Sequence, residues 1–557
     1  MSSVLACLAI APAAAQIHPQ VFRHEAVVSD SKLASEVGAA VMAKGGNAVD
    51  AAVATGFALA VTFPTAGNLG GGGFMVIRMA DGRALALDFR ETAPRAATRD
   101  MYLDGSGQVV PGASTVGYRA SGVPGSVAGL WEAHRRFGKL PWRDLVEPAR
   151  KLAAEGFPVS HGLARELRDM ERLFKQFPEA HRVFNRSGRH YEWGESLRQP
   201  ELARTLARIR DRGPNDFYRG ETARLIVADM KQGGGLITEQ DLAEYQPVAR
   251  EPLKGVYQDW EIWTMPPPSS GGAVLIQMLQ VVEGFTLRKS GAGSSQTIHW
   301  MAEAMKRGFA DRAAHFGDPA FTNIPLEILV SRDYAHKLWK SIDPDRATPA
   351  ASIRPYGTPL REGDHTTHYS IVDREGNAVA TTTTLNTGYG SGVVIKGAGF
   401  LMNNEMDDFT AKAGAPNAYG LIQGDANAIA PGKRPLSSMT PTIVTAGKRL
   451  YMVLGSPGGP TIINTVFQTL VNVMDHGMNV QQAVAAPRFH HQWQPDELRL
   501  ERDGFPADVR TALASKGHKI ATVRVMGSCH AILLPTRTGV LHVGVDPRVE
   551  SSGAAGR

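Results

Sequence analysis

The sequence predicts an α/β protein. Three observations carry this: a capped helix pair and a hairpin near the amino terminus, a long helical middle, and an abrupt change to β-branched strands and tight turns from Thr366 onward. Its 557 residues allow two to four domains, or one large sandwich with long surface excursions. Hydrophobic residues at 43% and charged residues at 20% are ordinary for a water-soluble globular chain. The formal charge of +6 is small for this length, and the basic residues are scattered. No basic stripe carries interleaved aromatics, which argues against nucleic acid as a partner. The two cysteines, Cys7 and Cys529, form no CxxC pair, and no HExxH occurs, so the sequence does not indicate a metal site.

The elements follow in order. Val4 to Ala15 is apolar, and Ala13-Ala14-Ala15-Gln16 resembles an A-x-A cleavage site. Residues 1–15 therefore read as the remnant of a secretory signal, although the usual positive amino-terminal region is missing, and the mature protein is expected to be periplasmic or secreted. No other stretch is apolar for long enough to span a bilayer. Ser29-Asp30-Ser31 offers caps for a helix to about Lys44, which Gly45-Gly46 ends. Asn47 caps a second helix, and Val49 to Val61 reads as buried. The Gly-rich loop Gly67 to Phe74 lacks the Lys-Ser/Thr of a phosphate loop and precedes a strand, so close backbone packing near a site is the better reading. Phe74–Met79 and Arg83–Arg90 form a hairpin across Asp81-Gly82. Leu85, Leu87 and Phe89 share one face of its second strand, so Arg90 points the other way. From 115 to 350 the pattern is helical, most clearly in Pro141–Glu155 and Ser295–Phe316.

The next hairpin runs from Thr366 to Asn386 around Arg374-Glu375-Gly376. A three-residue loop ending in Gly favours a type I turn with a G1 bulge. Centring on Glu375 pairs Asp373 with Asn377 and Thr366 with Thr384, and so sets two hydroxyls side by side. Further on, a strand enters Gly455-Ser-Pro-Gly-Gly459 and Pro460 opens a helix that Gly477 closes. The amides of Gly458 and Gly459 then lie at a helix amino terminus, where free N–H groups can stabilise an oxyanion.

With these residues the sequence resembles the γ-glutamyltranspeptidase family of N-terminal nucleophile hydrolases. The resemblance rests on eight stretches in order: Val28-Ser-Asp30, Gly45 to Ala52, Gly67 to Met75, Asp88-Phe-Arg-Glu91, Thr366-Thr-His-Tyr-Ser370, Asn403 to Asp408, Lys433 to Met439 and Gly455 to Gly459. It implies a four-layer αββα sandwich, one structural domain formed by a large chain (16–365) and a small chain (366–557) cut from one precursor, with the helices of 115–350 as an elaboration on the large chain. It also implies residue roles. Self-cleavage between His365 and Thr366 frees Thr366 as the nucleophile, and Thr384 supports it. Arg90 grips the substrate α-carboxylate; Glu405 and Asp408 hold the α-ammonium. Asn386, Ser437 and Ser438 surround the γ-glutamyl group, Gly458 and Gly459 form the oxyanion hole, and Tyr419 tips a lid loop. The reaction implied is acyl transfer from glutathione or a related γ-glutamyl donor to water or an amino acid, without cofactor, metal or membrane span.

The chain departs from the family in two places. His365 stands where an Asn or Asp is frequent, and the tail Ser551–Arg557 is unusual and expected to fray away from the site. Two rival readings stay open: a glutaryl or cephalosporin amidase of the same family, and a non-processing γ-glutamyl-peptide binder. Mass spectrometry of the purified protein is expected to find a chain beginning Thr-Thr-His-Tyr; a fully active, uncut protein would remove Thr366 from its role.

Overall fold

The computed structural model describes residues 17–356, 366–412, 425–535 and 539–557. The apolar segment 1–16, His365 and Tyr419 lie outside the described residues.

The short strands β1 (Gln20–Phe22) and β2 (Ala26–Ser29) lead into α1 (Lys32–Ala43) and α2 (Ala48–Thr62). Ser31 is the residue that caps α1, and Asn47 forms a reciprocal capping box with Asp50 at the start of α2. All of α2 is buried. Its small, uncharged residues show no amphipathic stripe because the helix has a sheet on one side and α3 (Trp142–Glu155) on another. After β3 (Gly72–Arg78) and β4 (Ala84–Asp88), the long middle supplies α3, then β5 (Val248–Arg250), β6 (Leu253–Tyr257), β7 (Trp260–Thr264), α4 (Gly271–Val282) and α5 (Ser295–His315). The last third holds β8 (Thr367–Val372), β9 (Ala378–Thr384), β10 (Thr442–Ala446), β11 (Arg449–Gly455), α6 (Thr461–Met474), β12 (His530–Leu533), β13 (Leu541–Gly544) and β14 (Gly553–Gly556).

Fourteen of these strands form two antiparallel sheets of seven, in the orders β1–β13–β12–β11–β10–β7–β6 and β14–β2–β8–β9–β3–β4–β5. Val28, Val76 and Ala380 of the second sheet meet Ile443, Val453 and Ile532 of the first in a buried apolar cluster between them. Alternate residues of the second sheet, such as Met75, Ile77 and Ile371, face α1 and α2. Ile262, Met452 and Leu454 of the first face α4, α5 and α6. The arrangement is the expected αββα sandwich.

Two expectations are corrected. The region 115–350 is more than an elaboration: β5 extends one sheet, β6 and β7 extend the other, and α4 and α5 build most of one outer layer. The carboxy-terminal tail is not frayed. β14 pairs with β2 from Gly553–Ser29 to Gly556–Ala26, and Ser551 Oγ donates to the Asp30 carbonyl at 2.7 Å. Main-chain hydrogen bonds hold this strand although its Gly-Ala-Ala-Gly sequence has little strand propensity.

The β8–β9 hairpin has the expected register. Thr367 pairs with Thr383, and the ladder continues to Val372–Ala378. Gly376 has φ 85° in the turn, and its N–H bonds to the Asp373 carbonyl at 3.0 Å. The Gly-rich segment ahead of β3 is packed backbone to backbone. A Cβ on Gly71 would stand 2.1 Å from the Thr384 carbonyl oxygen, and one on Gly73 would stand 2.4 Å from that of Thr382. Gly71→Ala should therefore push β3 from β9 beside Thr384 and cost about 1–3 kcal/mol. The expected result is a lower Tm together with slower appearance of the cut chain; unchanged values of both would contradict this close packing.

Candidate active site

Thr366 immediately precedes β8, in the centre of its sheet, and the next step of the ladder register sets it opposite Thr384. Thr384 Oγ1 accepts the Asn386 N–H at 2.7 Å. Asn386 takes φ 75°, a left-handed conformation that costs energy outside glycine, and its Nδ2 donates to the Asn404 carbonyl at 3.0 Å. Asn68, from the Gly-rich loop, ties this corner together: its Nδ2 donates to the carbonyl oxygens of Ala66 and Thr384, both at 2.8 Å. One residue after Thr366, the Thr367 hydroxyl donates to buried Asp30 at 2.6 Å, and Asp30 also accepts from Ser528 and His530 at 2.8 Å each. His368 faces the gap between the sheets, hydrogen-bonded to Thr382 and Ser370. Burial, with His530 nearby, holds it well below its usual range and hence neutral.

Across the strand–turn–helix corner, Gly458 and Gly459 have φ 125° and 52° just before α6. Their carbonyl oxygens accept from the first turn of that helix, Thr461 N and Ile462 N, at 3.0 Å each. A cavity of about 800 Å³ opens here, with Thr366 and Gly458 both on its wall.

Arg90, Glu405 and Asp408 do not line that cavity; they form a buried cluster. The Arg90 guanidinium bonds Glu405 through Nη1 and Asp408 through Nη2, and Nη2 also donates to the Leu436 carbonyl at 3.0 Å. Both acids sit on one short 3₁₀ turn, Glu405–Asp408, whose three-residue period brings their side chains to the same side. Glu405 Oε2 and Asp408 Oδ1 have no hydrogen-bond partner among the described residues. Burial pushes the Glu405 carboxyl well above its usual range and raises that of Asp408, against the pull of Arg90. For Arg90 the balance goes the other way: burial favours the neutral form, but Glu405, Asp408 and Glu91 together outweigh it. The segment that bonds Arg90 continues into Ser437 and Ser438. Ser437 Oγ accepts the Met439 N–H at 3.1 Å, and Ser438 Oγ accepts from Arg312 at 3.2 Å.

The sequence reading assigned no role to four of these neighbours. Asp30 and Asn68 lie inside stretches that carried the family resemblance, and Asp30 read as a helix cap. Glu91 follows Arg90, and Arg312 lies on α5 within a helical pattern. Both of the latter are buried. Burial lowers Arg312 to about 9, against the pull of Asp408, and raises Glu91 to about 7. Their signal was a charge on an otherwise apolar face, which only tertiary contacts turn into a site. One group of metal-ligand type occurs among the described residues, His299, Glu303 and His518. Both Glu303 oxygens already accept from Lys306 and Arg307, so a divalent ion there would meet two fixed positive charges.

A family model described as gamma-glutamyltranspeptidase matches residues 34–556. The chain belongs to that family. The glutathione hydrolase proenzyme of Escherichia coli (strain K12) is 46% identical over 540 residues, covering 97% of this chain and 93% of that protein. Among solved structures, the cephalosporin acylase from Bacillus halodurans superposes with a TM-score of 0.87 at 29% identity, covering 100% of this chain and 99% of the other. The gamma-glutamyltranspeptidase of Helicobacter pylori gives 0.58 at 46% identity, over 58% of this chain and 93% of the other.

Glu91 gives this family member a measurable pH dependence. A carboxyl raised to about 7 by folding contributes stability that is fully present below its unfolded value and is lost as pH rises towards 7. The Tm of the ligand-free protein should fall between pH 5 and 8, and Glu91→Gln should make that fall shallower. An identical slope in the variant would show that Glu91 does not titrate there.

Proposed function

We propose that this chain is a self-processing γ-glutamyl transferase/hydrolase. Residues 1–15 direct export to the periplasm or outside, 16–365 form the large chain, and 366–557 form the small chain headed by its nucleophile. The observation that carries the reading is Thr366, opposite Thr384, sharing one cavity with Gly458 while a buried Arg90–Glu405–Asp408 cluster keeps two carboxylate oxygens unpartnered.

In maturation, the Thr366 hydroxyl attacks the His365 carbonyl, the peptide nitrogen leaves, and water hydrolyses the resulting ester. The freed α-amine titrates at about 7.7–8, so at neutral pH it can take the hydroxyl proton of its own residue. Thr366 Oγ then attacks the γ-carbonyl of glutathione or a related γ-glutamyl compound. The amides of Gly458 and Gly459 receive the developing oxyanion. The amine departs, and water or an amino acid resolves the γ-glutamyl ester. Arg90 receives the α-carboxylate, an exchange that loosens its bonds to the two acids. The ammonium takes Glu405 Oε2 and Asp408 Oδ1, which burial otherwise leaves unsatisfied. Asn386, Ser437 and Ser438 bracket the glutamyl group; the lid role that the family resemblance gives Tyr419 falls outside the described residues.

The likeness to a cephalosporin acylase favours a second reading, an amidase for glutaryl side chains. A glutaryl group lacks the ammonium, so those two carboxylate oxygens would stay desolvated and unpaired. Native protein is expected to prefer γ-glutamyl over glutaryl anilides by about 10²-fold in kcat/KM, and Glu405→Gln with Asp408→Asn should narrow the ratio by harming the γ-glutamyl reaction. Equal native rates would favour the amidase. Thr366→Ala should remain one chain and inactive, which separates both enzymes from a binding protein. Arg90→Lys replaces a planar fork with a point charge and should raise KM for γ-glutamyl donors by about 10- to 100-fold.

A further inference from the structure

We propose that Asp30 is a positioning residue that spans the two halves of the reacting geometry, holding Thr366 at a set distance from the Gly458 corner. This rests on the reading of Thr366 as the nucleophile and of Gly458 and Gly459 as the oxyanion donors.

Asp30 stands between β2 and α1, where a helix cap would be its ordinary use. Ser31 supplies that cap instead: its hydroxyl accepts the Ala34 N–H. The Asp30 carboxylate is buried and divides its two oxygens between two distant parts of the chain. Oδ2 accepts the Thr367 hydroxyl at 2.6 Å, one residue after the nucleophile. Oδ1 accepts the Ser528 hydroxyl and lies against His530 Nε2, both at 2.8 Å. Ser528 carries the bridge onward. Its N–H donates to Ser456 Oγ at 3.1 Å, and that hydroxyl donates to the Pro457 carbonyl at 2.7 Å, next to Gly458. Gly527 presses on the same corner: a Cβ on Gly458 would stand 3.1 Å from Gly527 Cα, and one on Gly527 would stand 2.7 Å from Ser456 Oγ. Thr366, Asp30, Ser528, Pro457 and Gly458 all line the one cavity.

The two ends of this bridge belong to different sheets: Thr366 leads into β8 of one, and the Gly458 corner follows β11 of the other. Apolar contacts between the sheets resist separation but have no direction, whereas hydrogen bonds do. An ionised carboxylate accepts at both oxygens, and its charge-assisted bonds are about twice as strong as neutral ones. Among the described residues the only ion-pair partner of Asp30 is His530, so its charge is spent on this bridge. A cut before Thr366 would free the amino side of the nucleophile from the chain. Thr367 would then hold Thr366 in place, with its own hydroxyl tied to the large chain through Asp30. A reacting group displaced by ~1 Å can lose ~10²-fold in rate. The length of this bridge therefore bears on turnover and not on donor binding, which the same reading gives to Arg90, Glu405 and Asp408.

The test follows nitroaniline release from γ-glutamyl-p-nitroanilide, with rates expressed per mole of cut chain counted by mass spectrometry. Thr367→Val removes the hydroxyl at similar volume and should lower kcat by ~10-fold or more. KM should stay within about 2-fold of wild type, because the groups assigned to donor binding are untouched. Thr367→Ser restores the hydroxyl and should regain most of the lost rate. Ser528→Ala breaks the other arm and should lower kcat in the same way. The two changes together should cost no more than ~3-fold beyond the worse single one, since a bridge already open at one end loses little at the other. The proposal is overturned if both single variants keep the wild-type kcat, if their losses multiply in the double variant, or if KM rises as far as kcat falls. It is overturned too if Thr367→Ser is as slow as Thr367→Val. Should Thr367→Val remain uncut, Ser528→Ala and Thr367→Ser decide on the same terms. No nitroaniline from wild-type protein would instead sink the γ-glutamyl reading beneath it.

Discussion

The pairing of Thr367 with Thr383 is the constraint on which the rest of the molecule depends. It lies in the middle of a seven-stranded sheet, with β2 on one flank and β3 on the other, so four strands must agree on one register. A slip of one residue would turn Tyr369 and Ile371 from the helical layer into the gap between the sheets, and would send His368 and Ser370 outward. The same register fixes where Thr366 stands relative to Thr384 and to the α6 corner. The Gly376 turn, the Gly-rich approach to β3 and the Asp30 bonds to Thr367, Ser528 and His530 all reinforce it.

Against that rigid frame, the charged cluster is costly. Arg90, Glu91, Glu405 and Asp408 are all nearly devoid of solvent, and buried ions lose hydration that a single pairing only partly restores. The cluster persists because the polypeptide surrounds it with fixed dipoles: the carbonyl of Leu436 on Nη2 and that of Pro435 on Nε. On the proposed reading the cluster is organised before any substrate arrives, and binding would replace contacts already made.

Much of this was legible in the residues. The hairpin register followed from a Gly in the third position of a short loop, because turn geometry is a local property. The caps at Ser31 and Asn47, the burial of α2 and the strand–turn–helix corner at Gly458 were local too. The partners of Arg90 were not: its contacts lie more than 300 residues away in sequence, so from residues alone its role came only through the family resemblance. The strands within 248–264 escaped because they are short and lie at or next to the sheet edges, inside a stretch dominated by helical periodicity. β14 escaped for a different reason. Gly-Ala-Ala-Gly carries no apolar alternation, and its place is decided by the exposed ladder edge of β2.

The interleaving of the sheets bears on what a cut before Thr366 would leave. In one sheet β2, β3, β4 and β5 precede the cut and β8, β9 and β14 follow it; in the other, β1, β6 and β7 precede and β10 to β13 follow. The two products would share every layer of the core, so the boundary between them is the hydrophobic interior itself. They could not part as folded bodies: separation would be unfolding. Once apart, they would have to meet again in solution to rebuild the sheets, which turns a unimolecular folding reaction into a bimolecular one. Maturation would make the native state depend on the order of events, with folding completed first and the backbone opened afterwards.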